Sequence, residues 1–277
     1  MLSEELSLSY QYFHLLGWSK HFEDRLMEVF RKSIQKHVSA VCRGCYDRPC
    51  AELLRRWKRE VLLPWLIVYK APTHQVNEDL ECVLNEIADA AINQALVDVR
   101  TAEMYNILTE FPESLVAILE LRDALVRVRR AWALAGTIRT LLRRRLLHPG
   151  ANTSQIIHVY LTTVKVFRLL SPDSSSSRAV TGSVRAYLQT RRDTVRCIVA
   201  SLAEAGSLAY DGSSNASLQC AGIGNAQKFY EDKGPSTASK LQRRTDMASS
   251  EILRALISVY RTQHMFVNEY CSVLADR

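Results

Sequence analysis

Apolar residues recur every three to four positions along most of this chain, which is the spacing of one buried face of an α-helix. One such stripe runs from Leu26 to Val38, and a second runs from Leu54 to Leu62. Pro64 is predicted to disturb the hydrogen-bond ladder of the second helix, and Ala71-Pro72 is predicted to end it. No stretch longer than a few residues is typical of a strand, so the pattern predicts an all-α protein.

The middle of the chain continues this helical pattern in segments that prolines separate. A stripe from Leu80 to Ala95 is followed by a short predicted helix around Met104 to Leu108. That helix is predicted to end at Phe111-Pro112, because the residue before a proline avoids the helical conformation. Pro112 is then expected to serve as the first residue of the next helix, where its missing N–H costs nothing.

The turn His148-Pro149-Gly150 separates two further predicted helices. Asn152 is predicted to cap the second of them, because its side-chain oxygen can accept a hydrogen bond from an unpaired N–H of the first turn. Phe167 lies on the apolar stripe of that helix and is predicted to be buried, whereas the His148 imidazole is predicted to stay solvated. Gly150 is expected to adopt a positive φ, which is closed to most other residues. We interpret this turn as a structural junction rather than a ligand site.

Composition divides the chain into three parts. Residues 1–204 form the predicted helical region, whose last helix runs from Val184 to Leu202 with a break expected near Thr190. Residues 205–247 are rich in glycine, serine and asparagine and have no sustained apolar period, so they are predicted to be a flexible linker or loop. Residues 248–277 return to helical spacing and are predicted to form two final helices.

Overall composition is that of an ordinary globular protein, with 47% hydrophobic and 23% charged residues. The formal net charge of +7 permits an acidic partner or nucleic acid but requires neither. The longest apolar run, Leu62 to Tyr69, is far shorter than a membrane-spanning helix, so no membrane partner is expected. Acidic residues near Met1 argue against a signal peptide, and the odd count of seven cysteines favours reduced thiols in the cytosol or nucleus.

Cys42, Cys45 and Cys50, with His37 upstream, are the candidate metal ligands of the sequence. Three thiolates and an imidazole can surround zinc, but zinc knuckles normally pair two Cys-x-x-Cys units or add a downstream histidine pair. The competing interpretation is a helix end that carries half-buried thiols. We therefore expect no bound metal here.

Arginines are dense between residues 122 and 145, where Asp123 is the single acidic residue. Such a strip can contact phosphates, yet Trp132 is the only aromatic residue within it that could stack on a base. A solvated helical face or an ion-paired protein interface is the commoner explanation, so nucleic acid is kept as an alternative partner. The strip comprises Arg122, Arg127, Arg129, Arg130, Arg139, Arg143, Arg144 and Arg145.

Motifs of enzyme chemistry are missing from the sequence. The seven histidines are scattered singly, and there is no phosphate-binding loop, no zinc-protease motif, no serine-hydrolase elbow and no dinucleotide fingerprint. We therefore expect no catalytic residue, no cofactor site and no enzymatic activity in this chain.

Three segments carry more than periodicity: LRRRLLHPGANTSQIIHVYL at 142–161, VRAYLQTRRDTVRCIV at 184–199 and FVNEYCSVLADR at 266–277. Their sequence and their order resemble the family of cullin-type subunits of the anaphase-promoting complex. Weaker similarity around Cys42-Arg43-Gly44 and 111–118 extends the resemblance upstream, so that it spans most of residues 19–277.

The resemblance implies a cullin-repeat-like helical stalk, with 248–277 as the start of the C-terminal cullin-homology region. It implies a non-catalytic scaffold of a multisubunit cullin-RING ubiquitin ligase that controls mitotic progression in the nucleus and cytoplasm. The expected partners are the other subunits of the complex. The RING subunit is expected to bind only through a C-terminal region that this chain lacks after Arg277. A basic helical nucleic-acid-binding protein and an unrelated helical-repeat adaptor remain the alternatives.

Overall fold

Helices account for the regular structure of the described chain. The computed structural model describes residues 5, 8–9, 12–13, 15–70, 78–128, 131–170, 174–200, 254–257, 259 and 263–275, and none of these residues lies in a strand. The predicted all-α class is therefore confirmed. The main helices are α1 (Ser19–Cys42), α2 (Ala51–Trp57), α3 (Leu63–Lys70), α4 (Glu78–Ala102), α5 (Met104–Thr109), α6 (Leu115–Val128), α7 (Ala131–Arg145), α8 (Thr153–Leu170), α9 (Ser174–Thr190), α10 (194–200) and α11 (Gln263–Ala275).

Helix α1 contributes a stripe of buried residues spaced four apart. Phe30, Ile34, Val38 and Cys42 are each almost fully buried. This spacing places them on one side of the helix, as the sequence pattern predicted. Val29 has the same apolar character but lies beside this stripe, and its side chain is 57% exposed.

Pro64 changes the second helical segment in the way the sequence predicted. Lys58–Leu62 form a π-helical turn between α2 and α3, in which the Leu63 N–H donates to the Lys58 carbonyl five residues earlier. In a regular α-helix a proline ring clashes with the carbonyl four residues before it, and the wider turn relieves that clash. Helix α3 ends directly before Ala71-Pro72.

The passage from α5 to α6 differs from the expectation. Pro112 was expected to be the first helical residue, but it lies in a turn and α6 begins three residues later at Leu115. Ser114 explains the later start. Its hydroxyl donates to the Ile107 carbonyl at 2.6 Å, and its own carbonyl accepts from the Ile118 N–H at 3.2 Å. Ser114 therefore closes the turn and occupies the position before the first helical residue.

The start of α8 confirms three predictions from the sequence. The Asn152 Oδ1 accepts a hydrogen bond from the Ser154 N–H at 3.0 Å, so Asn152 caps this helix. Phe167 is 3% exposed and belongs to the core, whereas His148 is exposed in the turn. The expected break near Thr190 is also present, since α9 ends there and α10 begins at Thr194.

The expected positive φ of Gly150 is wrong. Among the described glycines, Gly17 and Gly44 are the two with positive φ. The turn at Gly150 is closed instead by an ordinary backbone hydrogen bond, in which the Ala151 N–H donates to the His148 carbonyl at 3.0 Å. Residue 150 therefore does not adopt the left-handed conformation that favours glycine, and its backbone angles do not require a glycine at this position.

The helices pack as a series. Helix α1 packs against α4, α4 against α6, α6 against α8, and α8 against α9, while α7 packs on α9. One continuous set of buried apolar side chains runs through these contacts. Stacking of this kind is typical of helical-repeat proteins, in which each unit buries its apolar face against the next.

Several sequence-based expectations fall outside the described residues. The predicted linker at 205–247 lies there, as do parts of the first predicted C-terminal helix. The second predicted C-terminal helix is present as α11. Within the described ranges, no helix combines the length and the apolar character that crossing a membrane requires.

Candidate functional site: two buried polar junctions

A buried ion pair joins the first helices of the series. Arg100 near the end of α4 and Glu120 in α6 meet with 3.1 Å between Nη2 and Oε2, and their side chains are 0% and 1% exposed. Removing two charges from water is costly, so such a pair is stable only when further hydrogen bonds satisfy the remaining atoms. The loop between α1 and α2 supplies most of those bonds, while the buried Arg100 Nε has no hydrogen-bond partner among the described residues.

Each charge of this pair binds the backbone of residues 42–51. Arg100 Nη1 donates to the Cys42 carbonyl at 3.0 Å and to the Cys45 carbonyl at 2.8 Å. Glu120 Oε1 accepts from the Cys50 N–H at 2.6 Å and from the Ala51 N–H at 2.8 Å. The carbonyls at the end of α1 and the N–H groups at the start of α2 are thus paired with opposite charges. We call Arg100, Glu120 and the loop they bind the first junction.

The candidate zinc ligands belong to this junction and are not arranged around a metal position. His37 stacks on Trp57 with ring centroids 4.0 Å apart, and burial lowers its pKa. A hydrogen bond between the Cys42 and Cys50 thiols lowers the pKa of Cys42 and raises that of Cys50, while burial raises the pKa of Cys45. Zinc needs thiolates, and this setting keeps Cys45 and Cys50 protonated. Among the described residues, no group of three potential ligands could hold a metal ion.

A second junction joins α7, α8, α9 and α10. Arg191, in the break after α9, donates through Nη1 to the Ala151 carbonyl and through Nη2 to the Pro149 carbonyl at 3.5 Å. Asp193 Oδ2 accepts from the Thr153 hydroxyl at 2.6 Å. The break is therefore bonded to the turn that launches α8. We call this set of contacts the second junction.

Residues 254–257 and 259 of the C-terminal region contact the same helices. The Tyr160 hydroxyl in α8 donates to the Ala255 carbonyl at 3.1 Å, and the Gln189 side-chain amide at the end of α9 donates to the Val259 carbonyl. Leu256 and Val259 are buried in the core. Residues 254–259 consequently pack as part of the helical series.

The predicted arginine strip is spread over two helices in the structure. Arg122 pairs with Asp123 at 3.0 Å, and Arg145 lies over the Tyr105 ring with its guanidinium carbon 5.5 Å from the ring centroid. Arg127 is exposed on α6, and Arg139, Arg143 and Arg144 are exposed on α7. Arg129, Arg130 and the Trp132 side chain fall outside the described residues.

Sequence reasoning missed Arg100, Glu120 and Arg191 as organising residues. A signal for Glu120 was present, because it stands within the otherwise apolar run from Leu115 to Leu121, where a charge must find a partner. The signal for Arg100 was weaker: it lies four residues after Leu96, at the helical spacing of the apolar stripe of α4, so its side chain faces the same side as that stripe. Neither signal names the partner, because the two residues lie on separate helices.

The second junction shows which two motifs meet. Residues 142–161 contribute Pro149, Ala151 and Thr153, and residues 184–199 contribute Arg191 and Asp193. Two of the three segments that carry the resemblance are therefore in direct contact. With that geometry established, the comparison with known proteins becomes specific.

A family model described as "ANAPC2-like, TPR repeats" matches residues 83–191. Through this region the chain belongs to the ANAPC2-like family. Arg100, Glu120 and Arg191 all lie in the ANAPC2-like region. The description as TPR repeats agrees with the stacked helices of the structure, and the predicted family is confirmed.

Curated relatives extend the ANAPC2-like match over most of the chain. Anaphase-promoting complex subunit 2 of Mus musculus is 31% identical over 255 residues, which cover 85% of this chain and 30% of that protein. The subunit of Homo sapiens is 30% identical with the same coverages. The subunit of Dictyostelium discoideum is 22% identical over 321 residues, which cover 92% of this chain and 35% of that protein. The chain spans about a third of the length of these relatives.

Proposed function

We propose that this chain acts as a non-catalytic scaffold of the anaphase-promoting complex, a multisubunit cullin-RING ubiquitin ligase that controls mitotic progression. The observation that carries the proposal is the ANAPC2-like match across residues 83–191, which include Arg100, Glu120 and Arg191 of the two junctions. The relatives are named as subunits of that complex. The proposed partners are its other subunits, met in the nucleus and cytoplasm. The proposed contact with the RING subunit uses a C-terminal region that follows these helices in the family.

The proposed mechanism is geometric. Buried charges at the first junction fix α1, α2, α4 and α6 to one another, and the second junction fixes α7 to α10. A stalk whose joints are fixed holds two surfaces at a constant separation. Constant separation raises the effective concentration of one bound protein near another without any chemistry by the stalk itself.

The use of the buried polar groups supports a structural rather than a catalytic role. Arg100 and Glu120 are held in hydrogen bonds between elements, and the Cys42 thiol is buried against Cys50. Catalytic groups, by contrast, must reach a substrate in a cleft. The proposal therefore assigns no reaction to this chain.

Affinity purification tests the proposed membership. The full chain carrying a small tag is expressed in dividing cells, recovered, and analysed for other subunits of the anaphase-promoting complex. The control is an unrelated helical-repeat protein of similar size and charge with the same tag. Enrichment of the complex over the control is expected. If the chain instead recovers no subunit but binds a random DNA duplex at physiological salt, the nucleic-acid alternative replaces the proposal.

A distance measurement tests the proposed rigidity separately. Spin labels are placed on cysteines introduced at the exposed positions Lys36 in α1 and Arg192 after α9. Cys45, Cys82, Cys197, Cys220 and Cys271 are replaced by serine, so that only the buried Cys42 and Cys50 of the native cysteines remain. A narrow distance distribution is expected for the wild-type junctions, and a broader one for Glu120→Gln. A broad distribution in both proteins would show that the helices do not act as a fixed spacer.

A further inference from the structure

The second junction concentrates positive charge at one end of the helical series. The segments 142–161 and 184–199 contain seven arginines and a single acidic residue, Asp193. The net charge of the whole chain is +7, so these two segments account for nearly all of it. The contacts of Arg191 with Pro149 and Ala151 bring the two segments together.

The seven arginines of this end differ in what they contact, and one of them, Arg185, is half-buried in α9. The Arg191 side chain is 21% exposed. It donates hydrogen bonds to two backbone carbonyls and lies beside Asp193, so it is part of the second junction. Arg145 turns away toward Tyr105 and the Asn106 side chain of α5. Arg143, Arg144, Arg192 and Arg196 are exposed, and within the described residues they have no ion pair.

Four exposed arginines flank the second junction on the two segments that Arg191 joins. Arg143 and Arg144 lie in the last turn of α7, a few residues before the turn that Arg191 binds. Arg192 directly follows Arg191, and Arg196 lies one helical turn after Arg192 in α10. The acidic residue of the two segments is already engaged, because Asp193 accepts from Thr153 and lies 3.7 Å from Arg191 Nε. The surface around the second junction therefore receives a net positive charge from these two segments.

We propose that this surface binds an acidic peptide segment of a partner protein. Guanidinium groups bind carboxylates with paired, directional hydrogen bonds, and a cluster of them from two helices suits a run of aspartates and glutamates. The aromatic residue closest in sequence to Arg191 and Arg192, Tyr187, is covered by the Arg191 guanidinium, 5.7 Å from its ring centroid. Tyr187 is thus not free to stack on a base, which favours a peptide over a nucleic acid.

This inference rests on the proposed function in one respect, namely that the partner is a protein. It goes beyond that function because it gives the contact a place and a chemistry. It can also fail independently. The chain can enter the complex through other surfaces and still leave this end unoccupied.

Fluorescence anisotropy with the purified full chain tests the proposal. The probe is a labelled polyglutamate peptide, and the matched neutral probe is polyglutamine of the same length. Binding of the acidic probe alone is expected, with an affinity that falls as salt is added. Arg143→Glu combined with Arg192→Glu is expected to weaken binding by about tenfold, since several exposed ion pairs of modest strength are reversed together.

The control variant combines Arg31→Glu with Lys36→Glu on α1, which removes the same total charge from exposed positions far from the junction. It is expected to bind the acidic probe like the wild type. Equal weakening by both variants would mean that the peptide responds only to net charge, and would overturn the proposal. A random DNA duplex that binds more tightly than the peptide and loses affinity through Arg143→Glu and Arg192→Glu would overturn it in favour of nucleic acid. Circular-dichroism melts of both variants verify that the helices remain folded.

Discussion

At the scale of single residues, the pair Arg100 and Glu120 matters most for stability. Both side chains are fully buried, and each binds the backbone of the loop after α1. The pair need not exceed an apolar alternative in stability, because desolvation offsets much of the attraction. Breaking it is different, since one charge is then left buried without its counterion.

Replacing Glu120 should therefore be costly. We expect Glu120→Gln to lower the free energy of unfolding by about 3–5 kcal/mol, the range typical of a buried charge that loses its partner. Urea unfolding followed by circular dichroism measures it. Glu52→Gln is the matched control, because Glu52 pairs with Arg55 at 2.8 Å on an exposed surface. An exposed pair is worth about 1 kcal/mol at most, so comparable losses in the two variants would contradict the assignment.

The turn before α8 gives a second prediction, expressed as an order of three variants. Phe167→Ala should cost about 3–5 kcal/mol because it removes a fully packed ring. Asn152→Ala should cost about 1 kcal/mol through loss of the cap. His148→Ala should change little, because its imidazole is exposed. Thermal melts establish the order, and a largest effect at His148 would mean that the turn is a functional site.

Residues differ in how far the sequence alone reveals them. Phe167 and Asn152 could be predicted because periodicity and capping depend on neighbours within one helix. The partnership of Arg100 with Glu120 could not, because it depends on how α4 and α6 are stacked. The predicted positive φ of Gly150 was wrong for a related reason. The conformation of this turn depends on a backbone hydrogen bond between Ala151 and His148, which the residue types alone do not reveal.

At the scale of elements, the breaks between helices carry the specific interactions. The loop after α1 is bound by the first junction, and the break after α9 is bound to the turn before α8. Helix bounds were predicted well wherever a proline or a cap decides them. The start of α6 was not, because the Ser114 hydroxyl reaches back to the Ile107 carbonyl, a contact that a proline rule cannot anticipate.

The break after α9 supplies the third prediction. Arg191→Ala removes hydrogen bonds to two backbone carbonyls, and bonds from a charged donor are worth about 1.5–3 kcal/mol. We expect a loss of stability in this range. Arg191→Lys should recover little of the lost stability. A single ammonium group cannot donate to the Pro149 and Ala151 carbonyls at once in the way that the two Nη atoms of the guanidinium do. Arg192→Ala serves as the exposed neighbour that should leave the melt unchanged, and full rescue by lysine would argue for a simple charge effect.

At the scale of the whole molecule, the described helices stack in series and polar junctions lie between several of them. The class of the fold followed from the helical periodicity of the apolar residues and the lack of stretches typical of a strand. The order of stacking did not, because amphipathic helices of similar length can pair in many ways. The buried pair of Arg100 and Glu120 is one contact that joins two particular helices, α4 and α6.

Proteolysis gives the prediction at this scale. Residues 206–247 lack the apolar residues needed to offset an ordering cost of about 1–2 kcal/mol per residue. We expect limiting protease to cut there before it cuts anywhere in 19–204, with the sites identified by mass spectrometry. Early cleavage within 77–170 would contradict the division into domains.

The π-helical turn at Lys58–Leu62 links the number of residues in this segment to the presence of Pro64. A π-helical turn holds one extra residue and sets every later position back by about 100°. Leu54 and Leu66 are both buried although a regular helix would place them about 120° apart, and the set-back reduces this to about 20°. Deleting one residue from the turn would leave both on the same face but push Pro64 into a regular ladder that it cannot join. Deletion of one residue should therefore be tolerated only when Pro64 is also replaced by alanine, which comparison of the thermal melts of the single and the paired variant measures. This segment can then shorten only through a paired change.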